Sequence, residues 1–413
     1  MIIKWLRIGS FAALDQALLS AVSFLIAVAF IRHGEKAEYG LYVLLLSLIS
    51  YVQGVQNAIF LSPFTTIYPQ RVQNEKYSVI QFFVSGQLIF IGVAVSISFV
   101  GLLGYHYTNS GSIDTQMAAA FAVAVAGGLM REAWRTMQYV HGRAGTALFG
   151  DIVFGAFVVM SVTILASVHS ITVTAILAIS GVACILPLMT TWFATGSVTF
   201  SLSSAERTEF WACGRWAVVG SSLTWVNLFM YPYIVAASFG IEAVAEMNAA
   251  RLFMVPFLFS VQAWSNLLRP KFAAWFMIQQ HQRMQSVSIK FAVIGVTLIF
   301  AYTGAVVAGY PWLASLAGQK YSGILSMIIA WAVVYTLGTV RAAFAPNLMV
   351  DETGYKILSR NNAISLVVFI PAMMFASKSE PILIIGALGL IEAIETILTI
   401  RYAARYWRDD VRS

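Results

Sequence analysis

Glu392 and Glu395 lie three residues apart in an apolar run, so a helix there presents both carboxylates on one side. Two acids sharing a low-dielectric face repel each other, and that pairing suits a proton-binding site. Pairing with an Arg or Lys of another segment is the competing, structural role. Asp15 sits early in another apolar run, where Gln16, Ser20 and Ser23 complete an arc of about 140° at 100° per residue. Asp15, Glu392 and Glu395 are therefore the candidates for ion coupling. Asp151 lies so near the start of its own run that a solvated end position is expected.

The cations suit a different partner. Arg131 and Arg135 close one apolar run, Arg251 opens another and Arg341 lies late in a third. A guanidinium fork donates two parallel hydrogen bonds to a phosphate, which makes these four candidate substrate contacts. For Arg131 and Arg135 the competing role is snorkelling to lipid headgroups beside Glu132, and for Arg251 it is pairing with Glu246.

The polar uncharged candidates are Gln53, Gln56 and Asn57, which with Ser50 fill an arc of about 120°. Gln262 and Asn266 repeat that pattern later in the chain, and Asn227 and Tyr231 share one face with Thr224. Amides of this kind either line an aqueous cavity or bond helix to helix. Trp225, Tyr231 and Tyr233 offer faces for sugar stacking, although aromatic packing explains them equally. Pro232 interrupts its run and marks a hinge, because proline frees a carbonyl and kinks a helix.

No metal centre, cofactor or catalytic residue is expected. The histidines (His33, His106, His141, His169, His281) fall in loops or at segment ends without ligand spacing. Cys184 and Cys213 read as packed thiols, no Walker A sequence is present, and the outer loops are short. The chain is not expected to be an enzyme.

Elements able to hold these residues follow from composition. Of 413 residues, 59% are hydrophobic and 10% charged, against roughly 45–50% and ~25% in soluble domains. So few charges cannot cover water-soluble globules, which excludes a cytosolic enzyme. The apolar runs have the length of spanning helices, not the ~10-residue alternation of barrel strands. Spans are expected at 10–31, 40–61, 79–104, 117–138, 148–168, 171–193, 213–238, 247–268, 288–310, 322–345, 361–377 and 381–402. The first resembles a signal peptide, but Asp15 and Gln16 interrupt its core, so an uncleaved span is expected.

Of the 25 Lys and Arg residues, only Arg32, Lys36, Arg251, Lys320 and Lys378 fall on the side opposite the termini. That asymmetry places both termini in the cytoplasm. Most of the +7 net charge is thus an orientation signal, and no nucleic-acid partner is implied.

The triads Gln53/Gln56/Asn57 and Gln262/Ser265/Asn266 end the second and eighth spans and point to a duplication. The expected fold is an all-α membrane protein of about twelve transmembrane helices. Two six-helix lobes, 1–194 and 213–402, would be related by a pseudo-two-fold axis along the membrane normal. Residues 195–212 form a cytoplasmic linker and 403–413 a cytoplasmic tail.

Specific residues also suggest a family. Leu14-Asp15-Gln16-Ala17-Leu18-Leu19-Ser20 with Ser23-Phe24, then Arg32-x-Gly34 and Tyr39-Gly40-Leu41-Tyr42, resemble the polysaccharide-biosynthesis (O-antigen) flippases. Gln56-Asn57-Ala58, Ser62-Pro63 and Tyr68-Pro69 continue the likeness over about the first 80 positions. These flippases belong to the multidrug/oligosaccharidyl-lipid/polysaccharide exporter superfamily. The resemblance implies a V-shaped molecule that alternates between inward- and outward-open states. Its substrate would be an oligosaccharide on an isoprenoid pyrophosphate, moved across the bacterial cytoplasmic membrane for exopolysaccharide, capsule or O-antigen assembly. It also implies H⁺ or Na⁺ coupling and a pathway shared with a polysaccharide polymerase and glycosyltransferases. Only Asp15, Gln56 and Asn57 stand on the shared motif. The alternatives are a cation-coupled exporter of small amphipathic compounds and a membrane enzyme of glycan assembly.

Overall fold

A computed structural model describes residues 2–108, 114–189, 199–255, 257, 261, 268, 271–272, 274–312, 319–321, 323–350 and 352–406. The described residues are predominantly helical, with no strand among them. Nine of the described helices are long and apolar enough to cross a membrane, or ten if one bent pair is a single span. The protein is an all-helical, multi-span membrane protein. Within the expected span at 247–268, residues 256, 258–260 and 262–267 lie outside the described residues, Gln262 and Asn266 among them.

The chain divides into two compact units, Met1–Trp225 and Val226–Ser413. The first contains α1 (Ile2–His33), α2 (Lys36–Gln56), α3 (Ser62–Gln70), α4 (Gln73–Thr108), α5 (Thr115–Val140) and α6 (Ala144–Ser167). It also holds α7 (Val173–Ala183), α8 (Leu186–Met189) and most of α9 (Ser204–Phe229). The second continues with α10 (Tyr231–Phe239), α11 (Ile241–Leu252), α12 (His281–Ala308), α13 (Leu325–Leu348), α14 (Glu352–Ala376) and α15 (Pro381–Tyr406).

In the first unit α5 is the hub, packing on α4 and α7. Its most apolar stretch is 67% buried, whereas none of the corresponding stretch of α4 is. Apolar surface drives no association within lipid, so close approach depends on small residues. A Cβ on Gly127 would collide with the Gly181 carbonyl oxygen, and one on Gly181 would lie 2.6 Å from that of Val123. α5 and α7 therefore touch backbone to backbone. Asp114 caps α5 by accepting the Met117 N–H at 2.7 Å, satisfying one donor of the first turn.

α2 and α3 form one continuous span, Lys36–Gln70, interrupted by a π-helical turn at Asn57–Leu61. Pro63 follows this turn and has no N–H to offer the carbonyl four residues earlier, which permits the wider winding. α9 packs there: a Cβ on Gly214 would lie 2.8 Å from the Ala58 oxygen. Phe210 joins Leu61, Phe64, Phe82, Phe83 and Ala133 in a buried apolar cluster. In the second unit α13 packs on α12 and α15, and α14 on α15. Gly240, with φ +87°, makes the turn between α10 and α11 that a side chain would strain.

Candidate functional site

Arg131, Arg135 and Tyr139 recur every four residues on α5 and form one stripe of that helix. Each meets a carboxylate from a neighbour. Arg131 donates from Nε to Asp151 Oδ1 of α6 at 2.8 Å, and its Nη2 lies 2.6 Å from the same oxygen. Arg135 donates to Asp15 of α1, from Nη2 at 2.8 Å and from Nε at 3.0 Å. Its Nε also lies 3.1 Å from Asp151 Oδ2, and its Nη1 lies 3.4 Å from Glu132 Oε2. Tyr139 donates its hydroxyl to Asp15 Oδ2 at 2.6 Å. The Arg131 guanidinium stacks over Phe154, 4.1 Å from the ring centre.

Asp15 and Asp151 are each 0% exposed and Arg131 is 8% exposed. Asp151 is thus not the solvated end residue that its position predicts. α6 brings Gly150 against the Trp134 ring, and this close approach leaves the next side chain beneath Arg131. Snorkelling is likewise displaced at Arg131 and Arg135, because carboxylates inside the protein satisfy them. Three acids (Asp15, Glu132, Asp151) face two guanidinium groups, an excess of one negative charge.

A second cluster lies in the other unit. Arg341 of α13 donates from Nε to Glu392 Oε1 at 2.6 Å, and its Nη1 lies 3.3 Å from Glu395 Oε2. Ser365 of α14 donates to Glu395 Oε1 at 2.6 Å. The acids of α15 are therefore paired with an arginine of another span, and again they exceed the cation by one. Unlike Arg131, the Arg341 side chain remains 35% exposed. Asn361, one helical turn before Ser365, is buried, and neither amide atom has a hydrogen-bond partner among the described residues.

The two clusters share a sequence signal that the amide triads did not reveal. Gly128-Leu-Met-Arg131-Glu-Ala133-Trp134 recurs 210 residues later as Gly338-Thr-Val-Arg341-Ala-Ala343-Phe344. The same spacing carries Asp151 onto Asn361. The cation is kept at matching positions, while the counter-charge moves from the helix following the arginine to α15. Asn361 occupies the position the acid holds in the first unit.

The remaining candidates take diverse places. Gln56 is buried and donates to Gln87 Oε1 at 2.7 Å and to the Leu129 carbonyl at 2.8 Å. It ties α2 to α4 and α5. Gln53 lies against Gly128, and Asn57 is exposed at the start of the π turn. Tyr231 is buried, accepts from Arg251 Nη1 at 3.0 Å and meets Trp331 edge to face. Trp331 stacks on Tyr335 and donates its indole N–H to the Met247 carbonyl at 3.0 Å. Asn227 is half-buried, with its Oδ1 unpartnered among the described residues. Pro232 begins α10, where the chain bends by 41° relative to α9. Trp225 donates to the Ser47 carbonyl at 2.8 Å and packs on Tyr51. Among the described residues no group of three His, Cys, Asp or Glu side chains is placed to hold a metal ion. Tyr139, Ser365 and Gln87 carry no signal in the sequence, because each acquires its role only from a partner on another helix.

No protein-family model and no curated protein sequence matches the chain. Solved structures do. The chain is similar to the lipid II flippase MurJ in an inward closed conformation, with TM-score 0.77 and 11% identity over 95% of this chain and 87% of that one. It is also similar to an inward-facing multidrug resistance MATE family transporter of the MOP superfamily, with TM-score 0.70 and 10% identity over 94% and 96%. A MOP superfamily transporter from Pyrococcus furiosus, described as having a binding pocket of reverse polarity, gives TM-score 0.62 and 10% identity over 98% and 95%. At these identities the likeness establishes the fold alone, one shared with these solved flippase and transporter structures.

Proposed function

We propose that this protein flips isoprenoid-pyrophosphate-linked oligosaccharide repeat units across the bacterial cytoplasmic membrane by alternating access, driven by H⁺ or Na⁺. A charged sugar-phosphate headgroup cannot enter ~30 Å of hydrocarbon unaided. It needs cations for phosphate and polar groups for sugar, presented inside a span-built protein.

The observation that carries the proposal is the Arg341 cluster. Its guanidinium is held by two carboxylates yet stays 35% exposed. A phosphate and a glutamate make the same kind of bidentate contact, so they compete for this fork. A proton or Na⁺ on Glu392 or Glu395 removes the excess negative charge and releases Arg341 to the pyrophosphate. Loss of that cation on the other side of the membrane restores the ion pair and expels the substrate. Coupling then reduces to a ligand that favours one of two states.

Asp15 belongs to the coupling machinery of the first unit, where Arg131 and Arg135 set the charge balance. Headgroup contacts are proposed for each unit by itself, Gln53 and Asn57 in the first and Asn227, Tyr231 and Arg251 in the second, with Pro232 as the hinge. A polysaccharide polymerase and glycosyltransferases of the same pathway would act on the product and supply the substrate.

The test is a deletion strain. It should accumulate lipid-linked repeat units on the cytoplasmic leaflet, and Arg341→Ala should fail to clear them while remaining in the membrane. Normal level and sidedness of the intermediate in the deletion strain would sink the proposal. The likeness to multidrug transporters over 94% of the chain favours a second reading, a cation-coupled exporter of small amphipathic compounds. That function tolerates Arg341→Ala and leaves the lipid-linked intermediate unchanged.

A further inference from the structure

Ser78, Gln81 and Ser85 recur at i, i+3 and i+7 and form one polar stripe on α4. Each takes its partner from the segment just before α9 or from the first turn of α9. Gln81 donates to Thr199 Oγ1. The Ser201 N–H donates to Ser85 Oγ at 2.9 Å. Ser78 donates to Glu206 Oε1 at 2.6 Å, and Arg71 pairs with Glu209.

Residues 199–203 lie outside any helix. The Thr199 hydroxyl and the Ser201 backbone N–H are both bonded to α4, whereas Phe200 and Leu202 are 64% and 47% exposed.

Height along α4 decides what covers the outer face. Ser85 lies about 13 Å beyond Lys76, the last Lys, Arg, Asp or Glu of α4, at 1.5 Å per residue. Leu88 and Ile89, on the next turn, are exposed as well, and so are Val93, Ile97 and Val100 farther along α4. α9 begins lower: Glu206 is level with Ser78 and Glu209 with Arg71. The chain thus reaches its deepest described point at Ser201 and comes back toward the start of α4 as α9 begins.

We infer that residues 199–203 form a non-helical strap embedded in the bilayer, with Phe200 and Leu202 against lipid acyl chains. The sequence alone assigns this stretch to a cytoplasmic linker. Non-helical backbone at membrane depth must have its polar groups satisfied; here the Ser201 N–H is satisfied by Ser85 of the stripe and the Ser203 carbonyl accepts from the Arg207 N–H in the first turn of α9. The strap also fixes the start of α9 to α4, so α9 is held at its base while its far end breaks near Met230.

Spin labels measure this directly. Cys213 is exposed and Cys184 buried, so Cys213→Ser provides a background with no accessible thiol. Labels on Phe200→Cys and Leu202→Cys are compared in lipid vesicles with a bilayer reference, Leu88→Cys, and an aqueous reference, Arg143→Cys. The expected ratio of collision with oxygen to collision with a water-soluble nickel chelate matches position 88 and exceeds position 143 several-fold. A ratio like that of position 143 overturns the inference. Exclusion of both reagents also overturns it, since a second copy or other protein then covers the strap. Gln81→Leu with Ser85→Ala should raise nickel access at position 202 several-fold; unchanged access would remove the stripe as its anchor.

Discussion

At the scale of single residues, the charges buried in the first unit are an obligatory set. Asp151 and Arg131 have no water to fall back on, so removing one partner strands the other. Asp151→Asn is expected to cost about 3–5 kcal/mol of stability, the range for breaking a buried pair. Arg131→Met combined with Asp151→Leu should recover much of that loss, because no charge is then left unpaired. Thermal unfolding of the purified variants in detergent checks both; a double variant weaker than either single one would contradict the account. Asp15 differs in consequence. Asp15→Asn keeps an acceptor for Tyr139 and Arg135 but deletes the excess negative charge, so transport should stop while the protein stays in the membrane. Asn361 allows the converse change. Asn361→Asp together with Glu392→Gln moves the counter-charge of Arg341 to the position it holds in the first unit. The pair should fold as well as the parent in the same unfolding assay, whereas Glu392→Gln alone should be weaker.

At the scale of elements, small residues and prolines set the geometry. α5 and α7 meet where Gly127 and Gly181 bring backbones together, so Gly181→Leu forces a helix aside. Overpacking of this kind typically costs about 1–3 kcal/mol, which a lowered unfolding midpoint would register. The bend between α9 and α10 has a different cause. Pro232 denies a donor to the turn before it, and Pro232→Ala restores the N–H. The expected outcome is a folded protein with slowed transport, read as an initial rate in proteoliposomes; an unchanged rate would remove the hinge. The breaker itself is legible in the sequence, because proline acts through its own ring. The glycine contacts were not, since nothing in the chain says which glycine will face another.

At the scale of the whole molecule, two clusters in two units each hold, among the described residues, one more acid than arginine. One monovalent cation per cluster neutralises the excess, so transport is expected to follow an imposed H⁺ or Na⁺ gradient and to collapse with it. Flux in vesicles with and without the gradient tests this, and gradient-independent accumulation would refute coupling. By itself the sequence determined the environment and the class of element. Composition and run length are sums over the chain, and lipid as a solvent leaves only helices as a solution for runs of this length. It also determined which side chains were costly inside the membrane, hence the roster of Asp15, Arg131, Arg135, Arg341, Glu392 and Glu395. Only the tertiary structure decided who pairs with whom. Asp151 went from an expected solvated end to a fully buried partner of Arg131, and Gln56 from a cavity candidate to a tie between three helices. Pairing depends on the rotation of one helix against another, which contacts far apart in the chain determine and no local pattern encodes.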